Sequence, residues 1–459
     1  MTGEHAQWSS RLAFLMAAVG CAVGMGNIWL FPYMAGSQGG GAFVLIYLAA
    51  MIGLALPVLL SELMMGRRGQ AAPPQGLARI ARESGRTENW RWVGILFGAL
   101  GAILALGFYC VVGGWTLAYA FKAVTGALQQ LDAESSKAVF NTMNGSPQGI
   151  LPAFILFAFL TIFISSRGLK DGIERAVKFI MPALFVMLVG LVFYAAFVGD
   201  FGRAIEFLFA PDFSKVTGTV ALGAIGTAFF SVSVGITNMM AYGSYISKDT
   251  NLPQSASIIV GADTFVALMA GLAIFPIVFM AGIEPGGGPG LVFEAFPIAF
   301  GSIPGGLIVG TVFFVLLFFA ALTSSIGMME PPVSWLQDQF KWSRQRAALT
   351  AGTVAFLLAL SAALSLNIWS DVRPLGEVGV FAGKEIFSLF IYLVTQVIMP
   401  AGGIFVAFFV GWMIKKQYSA DELYDGQEPP QFKLWLFIMR FVAPVLLTLV
   451  LYDVAVLQA

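Results

Sequence analysis

Long apolar runs alternate along the chain with short polar stretches that carry most of its arginines and lysines. A helix needs about 20 apolar residues to cross a hydrocarbon core of about 30 Å. Runs of that order lie at about 12–36, 42–65, 92–125, 149–166, 176–198, 218–245, 255–282, 303–336, 347–367, 385–414 and 434–457. This pattern predicts an all-α integral membrane protein with eleven transmembrane helices. The polar residues 1–11 precede an apolar run that continues past the length of a signal-peptide core and lacks a small-residue cleavage pattern, so it reads as the first span. The cluster Pro285-Gly286-Gly287-Gly288-Pro289 reads as a loop, and Pro429-Pro430 precedes the last span. No linker divides the chain, which reads as one transmembrane domain over 1–459.

Composition sharpens the picture. Of the 459 residues, 58% are hydrophobic and 11% charged, against about 25% charged in soluble globular proteins. That balance excludes a soluble fold, intrinsic disorder and a secreted disulfide scaffold, and makes the lipid bilayer the first partner. Lys+Arg and Asp+Glu stand at 25 each, leaving no basic surplus for nucleic acid. Cys21 and Cys110 both fall inside apolar runs and read as free thiols. A single histidine, no metal-ligand cluster and no nucleophile–base pair argue against an intramembrane enzyme, and no obligate protein partner is evident.

The basic residues also orient the chain, because short cytoplasmic loops carry an excess of Lys and Arg. The loop 66–91 holds Arg67, Arg68, Arg79, Arg82, Arg86 and Arg91, and the loop 167–178 holds Arg167, Lys170, Arg175 and Lys178. Lys341, Arg344, Arg346, Lys415, Lys416 and Lys433 share their side by parity. The N-terminus is therefore expected in the cytoplasm, and eleven spans put the C-terminus outside.

Two spans read poorly as continuous helices. The first contains Gly20-Cys21-Ala22-Val23-Gly24-Met25-Gly26-Asn27, with Pro32 beyond it. The sixth contains Phe229-Phe230-Ser231-Val232-Ser233-Val234-Gly235-Ile236-Thr237-Asn238. Each sets small and hydroxyl residues at mid-membrane, where helix propensity is poor. They occupy matching positions if 12–198 and 218–414 are two five-helix repeats, with 434–457 as an additional span. Interruptions at matching positions of inverted repeats point to a secondary transporter with its site at the breaks. Small-residue patches for helix packing are the competing explanation.

The residues at the breaks resemble a known family. Trp8, Arg11, Gly20 and the run Ala22-Val23-Gly24-Met25-Gly26-Asn27-Ile28-Trp29, followed by Phe31-Pro32-Tyr33, resemble the opening signature of the neurotransmitter:sodium symporters. Gly39-Gly40-Gly41-Ala42-Phe43, Pro57 with Glu62, Gly114-Trp115-Thr116, Phe229-Phe230-Ser231, Tyr242-Gly243-Ser244-Tyr245 and Leu322-Thr323-Ser324-Ser325 match it in order. The resemblance spans the chain and fits the shorter, eleven-span bacterial branch, in a bacterial inner (plasma) membrane. It implies a leucine-transporter-like fold with discontinuous helices 1 and 6, and alternating-access symport of a small neutral amino acid with sodium.

It also implies a site. Backbone N–H groups of Met25 and Gly26, with the Tyr109 hydroxyl, would hold a substrate carboxylate, and carbonyls of Ala22 and Phe230 would take the amine. Half-helix ends supply suitable dipoles for both charges. Ala105, Tyr109, Phe230, Ser233, Ile236, Ser324 and Met328 would surround the side chain. None is charged, and Ala105 and Ile236 replace bulkier residues, so a neutral, apolar and fairly large amino acid is expected. Two sodium sites follow from the same resemblance. The first would use Ala22, Asn27, Ser231, Asp263 and the substrate carboxylate. The second would use carbonyls of Gly20, Val23 and Ala320 with the Thr323 and Ser324 hydroxyls, although such hydroxyls also commonly bond back to their own helix. Glu62 is expected against the unwound part of the sixth span, in a structural role.

Departures from the family pattern are informative. Asp263 stands where many members have Asn, and Ala267 where chloride-dependent members have Ser. Of the family's chloride set Tyr47 and Ser231 remain, but Thr227 and Ala267 do not complete it, so no chloride requirement is expected. His5 stands for a basic residue, usually Arg, that closes the cytoplasmic gate with Asp338, Ser244 and Tyr245, beside Trp8. Leu30 replaces the outer-gate Arg, and its usual Asp partner in the tenth span is missing, with Ser388 or Ile391 at that place and Glu385 as a displaced candidate. A proton-driven relative, a carrier of another small zwitterion and a non-transporting amino-acid sensor remain the rival readings.

Overall fold

A computed structural model describes residues 6–283, 292–376 and 378–453. His5 and the cluster Pro285-Gly286-Gly287-Gly288-Pro289 lie outside the described residues. Among those described the secondary structure is helical, with one isolated antiparallel bridge between Gly40 and Pro211. Nine helices among the described residues are long and apolar enough to cross a membrane: Gly41–Gly69, Glu88–Val124, Pro147–Ser166, Leu169–Val198, Leu252–Met280, Gly306–Phe340, Arg344–Leu364, Ile386–Met413 and Pro430–Tyr452. The first predicted span is a pair, Arg11–Ala22 and Gly26–Ser37, bent by 47° at its break. The sixth is the apolar helix Gly218–Ser231, then an irregular stretch 232–237, then the short helix Asn238–Gly243.

Several helices outrun their apolar runs. Leu169–Val198 begins ahead of the predicted 176 and takes in Lys170, Asp171, Glu174 and Arg175, while Gly306–Phe340 runs past 336 through Gln337, Asp338 and Gln339. Helical hydrogen bonding continues into water, whereas hydropathy registers only the hydrocarbon-facing length. Further helices lie between the predicted spans. Pro73–Glu83 starts on two prolines, whose fixed φ suits a first turn. Ala133–Asn144 starts on a capping box between Asp132 and Ser135, and Phe201–Phe209 starts on Asp200, which accepts from Arg203 N–H.

Hydrogen bonds sort the connections onto two faces. On the face bearing the N-terminus, Ser9 N–H meets Glu174, Ala72 N–H meets Asp338, Arg344 meets the Ser165 carbonyl, and Arg67 reaches the carbonyls of Lys248 and Thr250. On the opposite face Ser136 meets the Glu294 carbonyl and Asn367 meets that of Asn144. Both cysteines are buried and free. The core centres on Gly306–Phe340, which packs most extensively on the long helix Gly101–Val124, while Leu252–Met280 runs beside both pieces of the first span.

The break at 232–237 is built on unusual backbone. Ser233 and Thr237 both have φ of 54°, and Gly235 has φ of 90°. Positive φ is costly for a β-branched residue such as Thr237. Gly235 is held by contact as well as by angle, since a Cβ there would lie 2.2 Å from the Met399 carbonyl oxygen. The strained turn is anchored from below: Glu62, fully buried on the helix Leu56–Gly69, accepts the Gly235 N–H at 2.7 Å. This is the contact the resemblance implied for Glu62.

Candidate functional site

The two breaks face one another. Between Ala22 and Gly26 the helix ladder lapses, and the N–H of Gly24 is taken by Asn27 Oδ1 at 2.9 Å. The Met25 N–H reaches the Tyr109 hydroxyl at 3.4 Å. Gly24 must lack a side chain, because a Cβ would stand 2.5 Å from Ser324 Oγ and 3.0 Å from the Tyr109 hydroxyl. Gly26 faces Ser231 and the Phe230 ring, and the Ser233 hydroxyl reaches the Cys21 carbonyl at 3.4 Å. Ala22, Met25, Gly26, Ala105, Tyr109, Ser231, Ser233, Ile236, Ser324 and Met328 are all buried, with Phe230 partly so. The structure thus brings Gly24 and Met25 of the first break to Tyr109 and Ser324, and sets Gly26 against Phe230 and Ser231 of the second.

A polar cluster lies beside them. The Asn27 side-chain N–H groups donate to Ser231 Oγ at 2.8 Å and to the Asp263 carbonyl at 3.0 Å. Ser231 Oγ donates to Asp263 Oδ2 at 2.7 Å, and the Tyr47 hydroxyl lies 3.3 Å from the same Ser231 oxygen. Asp263 is fully buried, yet its other carboxylate oxygen, Oδ1, has no hydrogen-bond donor. Buried carboxylate oxygens are rarely left so, because each forfeits its hydration. That oxygen suits a hard cation, which takes oxygen ligands.

A second group of oxygens joins the first break to the helix Gly306–Phe340. Ser324 Oγ lies 3.5 Å from the Gly20 carbonyl oxygen and 3.4 Å from that of Val23. The Thr323 hydroxyl bonds back to the carbonyls of Phe319 and Ala320, each at 3.1 Å, and Gly20 faces Thr323. Of the five predicted oxygens, Ser324 Oγ meets those of Gly20 and Val23, while the Thr323 hydroxyl is back-bonded to that of Ala320.

Above and below the breaks the chain is closed unequally. On the N-terminal face Trp8 donates from Nε1 to the Tyr242 carbonyl at 3.1 Å and from its backbone to the Tyr245 carbonyl at 3.2 Å, with its ring edge-on to Tyr242 at 5.2 Å. The Tyr245 hydroxyl donates to Glu330 Oε1 at 2.6 Å, and Arg344 grips the same carboxylate with two bonds of 2.7 and 2.6 Å. Glu330 is fully buried. Sequence reading missed this pair, although an acidic residue inside a span calls for a named partner. Asp338 instead accepts the Ala72 N–H at 2.7 Å, and the Ser244 hydroxyl bonds to the Ala241 carbonyl at 2.7 Å. Asp338 and Tyr245 share a cavity of about 490 Å³ with Ala6 and Arg344.

The opposite face holds a cavity of about 350 Å³ that reaches down to Phe230. Leu30, Thr227 and Ile391 line it together, so the positions expected to lack the outer ion pair do lie in one space. One expectation needs correction. Glu385 does not line the cavity: it accepts the hydroxyl of Ser388 at the start of its own helix. The cavity carboxylate is Asp453, in the last turn of the chain described, joined by Gln38 and Gln396, so the space is more polar than Leu30 and Ile391 alone imply.

Helices interrupted at facing, buried positions, with oxygen atoms gathered there and cavities toward both faces, define a membrane transporter of the broken-helix class. Within that class the chain belongs to the sodium:neurotransmitter symporter family, whose model matches residues 5–146 and 142–458. An uncharacterized sodium-dependent transporter of Bacillus subtilis is 35% identical over 449 residues, covering 97% of each chain. A sodium- and chloride-dependent taurine transporter of Canis lupus familiaris is 25% identical, over 93% of this chain and 73% of its own. The solved structure of MhsT in complex with L-phenylalanine superposes with a TM-score of 0.88 at 39% identity, covering 98% of this chain and 99% of that one. The chain is a sodium-dependent, multi-pass membrane symporter of this family.

Proposed function

We propose that the protein carries neutral, mainly apolar L-amino acids into a bacterial cell through its plasma membrane, driven by sodium at two sites and without chloride. The observation that carries this reading is the buried Asp263, bonded through one oxygen to Ser231 and bare at the other. Asp263 supplies there a fixed negative charge beside sodium, in place of a bound anion. The first sodium is held by Asp263, Asn27, Ser231, the Ala22 carbonyl and the substrate carboxylate. The second is held by Gly20, Val23, Ala320, Thr323 and Ser324, with the Thr323 hydroxyl turning from its back-bond. Met25, Gly26 and Tyr109 orient the substrate carboxylate. Ala105, Phe230, Ser233, Ile236, Ser324 and Met328 form an uncharged pocket, and MhsT, similar throughout, was solved with L-phenylalanine.

On this reading 218–243 is the sixth span, broken like the first and bringing the count to eleven, and 12–198 and 218–414 are inverted repeats. The N-terminal face is cytoplasmic, in keeping with its arginines, and the C-terminus is outside. Trp8, Tyr245 and the Arg344–Glu330 pair then close the inner side, while the cavity at Leu30 is the outer vestibule. The substrate class is tested by competition: unlabelled L-phenylalanine, L-leucine, L-tryptophan, L-lysine, L-glutamate and taurine against labelled L-phenylalanine. The large apolar amino acids are expected to displace it at least tenfold better than the charged ones, because the uncharged pocket would leave a buried charge unpaired. Equal displacement by lysine or glutamate contradicts the assignment.

The outer vestibule gives a second test. Leu30→Arg is expected to lower uptake by about tenfold, since a guanidinium in a half-buried apolar position lacks a partner; Asp453, which lines the same cavity, already takes part in an interaction of its own. Adding Ile391→Asp should restore part of the loss. Wild-type uptake by Leu30→Arg alone would mean that Asp453 accepts the new charge, and would remove the apolar outer gate from this account.

A further inference from the structure

On the N-terminal face a groove of about 630 Å³ lies between the helix Pro73–Glu83, the start of the helix Glu88–Val124 and the end of Gly306–Phe340. Its charged lining is Arg79, Arg82, Arg91 and Glu88, two positive charges in excess. Arg82 pairs with Glu88 at 3.1 Å with both side chains more than half exposed, an arrangement that holds little free energy and yields readily to a better anion. Arg79 is tied at one nitrogen to the Gly69 carbonyl, and Arg91 rests over the Trp92 ring at 5.6 Å. Two buried polar atoms of lining residues have no partner: the donor Trp335 Nε1 and the acceptor Gln75 Oε1. The rim is apolar and turned outward, with Trp92 58%, Leu100 50% and Phe340 51% exposed.

Phosphate-binding arginines that continue into an outward-facing apolar wall suit a lipid better than a soluble ion. A free phosphate would use the arginines and ignore the wall, whereas a zwitterionic lipid would gain nothing from the excess charge. Basic pockets between spans on the cytoplasmic side favour anionic headgroups in this way, and Trp92 stands where tryptophans seat at the membrane interface. We infer that this groove binds one anionic phospholipid of the cytoplasmic leaflet, its phosphate on Arg82 and Arg91 and its acyl chains along Trp92, Leu100 and Phe340. The leaflet rests on the orientation proposed above; the headgroup chemistry does not. The bound lipid clasps the end of Gly306–Phe340, the helix that carries Thr323, Ser324 and Glu330, to the helix Pro73–Glu83.

The test uses the whole protein in phosphatidylcholine nanodiscs doped with phosphatidylglycerol or phosphatidylcholine carrying brominated acyl chains, read by tryptophan quenching. Phosphatidylglycerol is expected to quench with about tenfold higher apparent affinity, as two excess charges near the surface allow. Trp92→Phe should remove much of the selective quenching. Arg82→Gln/Arg91→Gln should reduce the selectivity to about twofold or less. Arg82→Lys/Arg91→Lys, and Arg167→Gln/Arg175→Gln elsewhere on the same face, should keep it. Equal quenching by the two lipids, selectivity that survives Arg82→Gln/Arg91→Gln, or displacement of the lipid by millimolar glycerol phosphate would overturn the inference. Labelling of an Arg86→Cys variant in intact cells by a membrane-impermeant thiol reagent separates the two premises. Protection supports the cytoplasmic leaflet; labelling from outside overturns the leaflet and orientation alone, with headgroup selectivity still read in nanodiscs.

Discussion

Arg344→Ala is expected to lower sodium-driven uptake by about a hundredfold, the largest effect of any single substitution outside the breaks. Glu330 is fully buried, and the guanidinium meets both its oxygens while Tyr245 donates to one of them. Removing one partner of a buried pair costs about 3–5 kcal/mol, because the remaining charge is left in low dielectric. In the proposed cycle that cost falls on the inward-closed state, where Tyr245 also accepts the Trp8 N–H. Outward-facing molecules, which must bind substrate first, are thereby depleted. Removing the stranded charge should repair much of the damage, since deleting both partners is far milder than deleting one. Arg344→Ala/Glu330→Gln is therefore expected to recover at least tenfold over Arg344→Ala. The comparison is made on uptake and on thermal stability in parallel. A double variant no better than the single would show that Arg344 acts otherwise than by neutralising Glu330.

Asp263→Asn is expected to raise the sodium concentration for half-maximal uptake by at least about tenfold. The amide keeps an oxygen for the cation but loses the charge. Two unit charges 4 Å apart at an effective dielectric near 20 interact by about 4 kcal/mol, an upper bound here. The proposed ligands Asn27 and Ser231 remain, so uptake falls at limiting sodium and partly returns when sodium is raised. Uptake measured against sodium concentration decides this, and an unchanged half-maximum would contradict it.

Much of this site could be read in the chain because its chemistry is local. Gly20, Gly24 and Gly26 lie within seven residues, and Ser231, Ser233, Gly235 and Thr237 alternate through the other break, so poor helix propensity marked both from sequence alone. The structure adds the left-handed turn at Ser233, Gly235 and Thr237 and the hold of Glu62 upon it. Asp263 stood out against the family pattern, as a ligand of the first sodium beside Ser231; the bond between the two is added by the structure.

What stayed hidden depends on contacts between distant segments. Glu330 is as fully buried as Glu62 and Asp263, and an ionisable residue inside a span calls for a partner. Its partner Arg344 was counted only as a basic loop residue, although it opens the next helix. Asp453 was invisible for another reason: it lies in the last span, and only packing brings that span to the cavity beside Leu30 and Ile391. Asp338 follows the same lesson. Its carboxylate caps the helix Pro73–Glu83 through Ala72, a contact between residues 266 positions apart. Helices such as Pro73–Glu83 were missed because polar composition conceals them from a search for apolar runs.

The most direct test of the central claim is uptake of labelled L-phenylalanine into proteoliposomes, with sodium outside and potassium inside, first in chloride and then with gluconate throughout. The account predicts accumulation that requires the sodium gradient and changes by less than about twofold when chloride is removed, since Asp263 provides the negative charge beside the cation. Uptake that collapses in gluconate, or that proceeds equally without sodium, would contradict it.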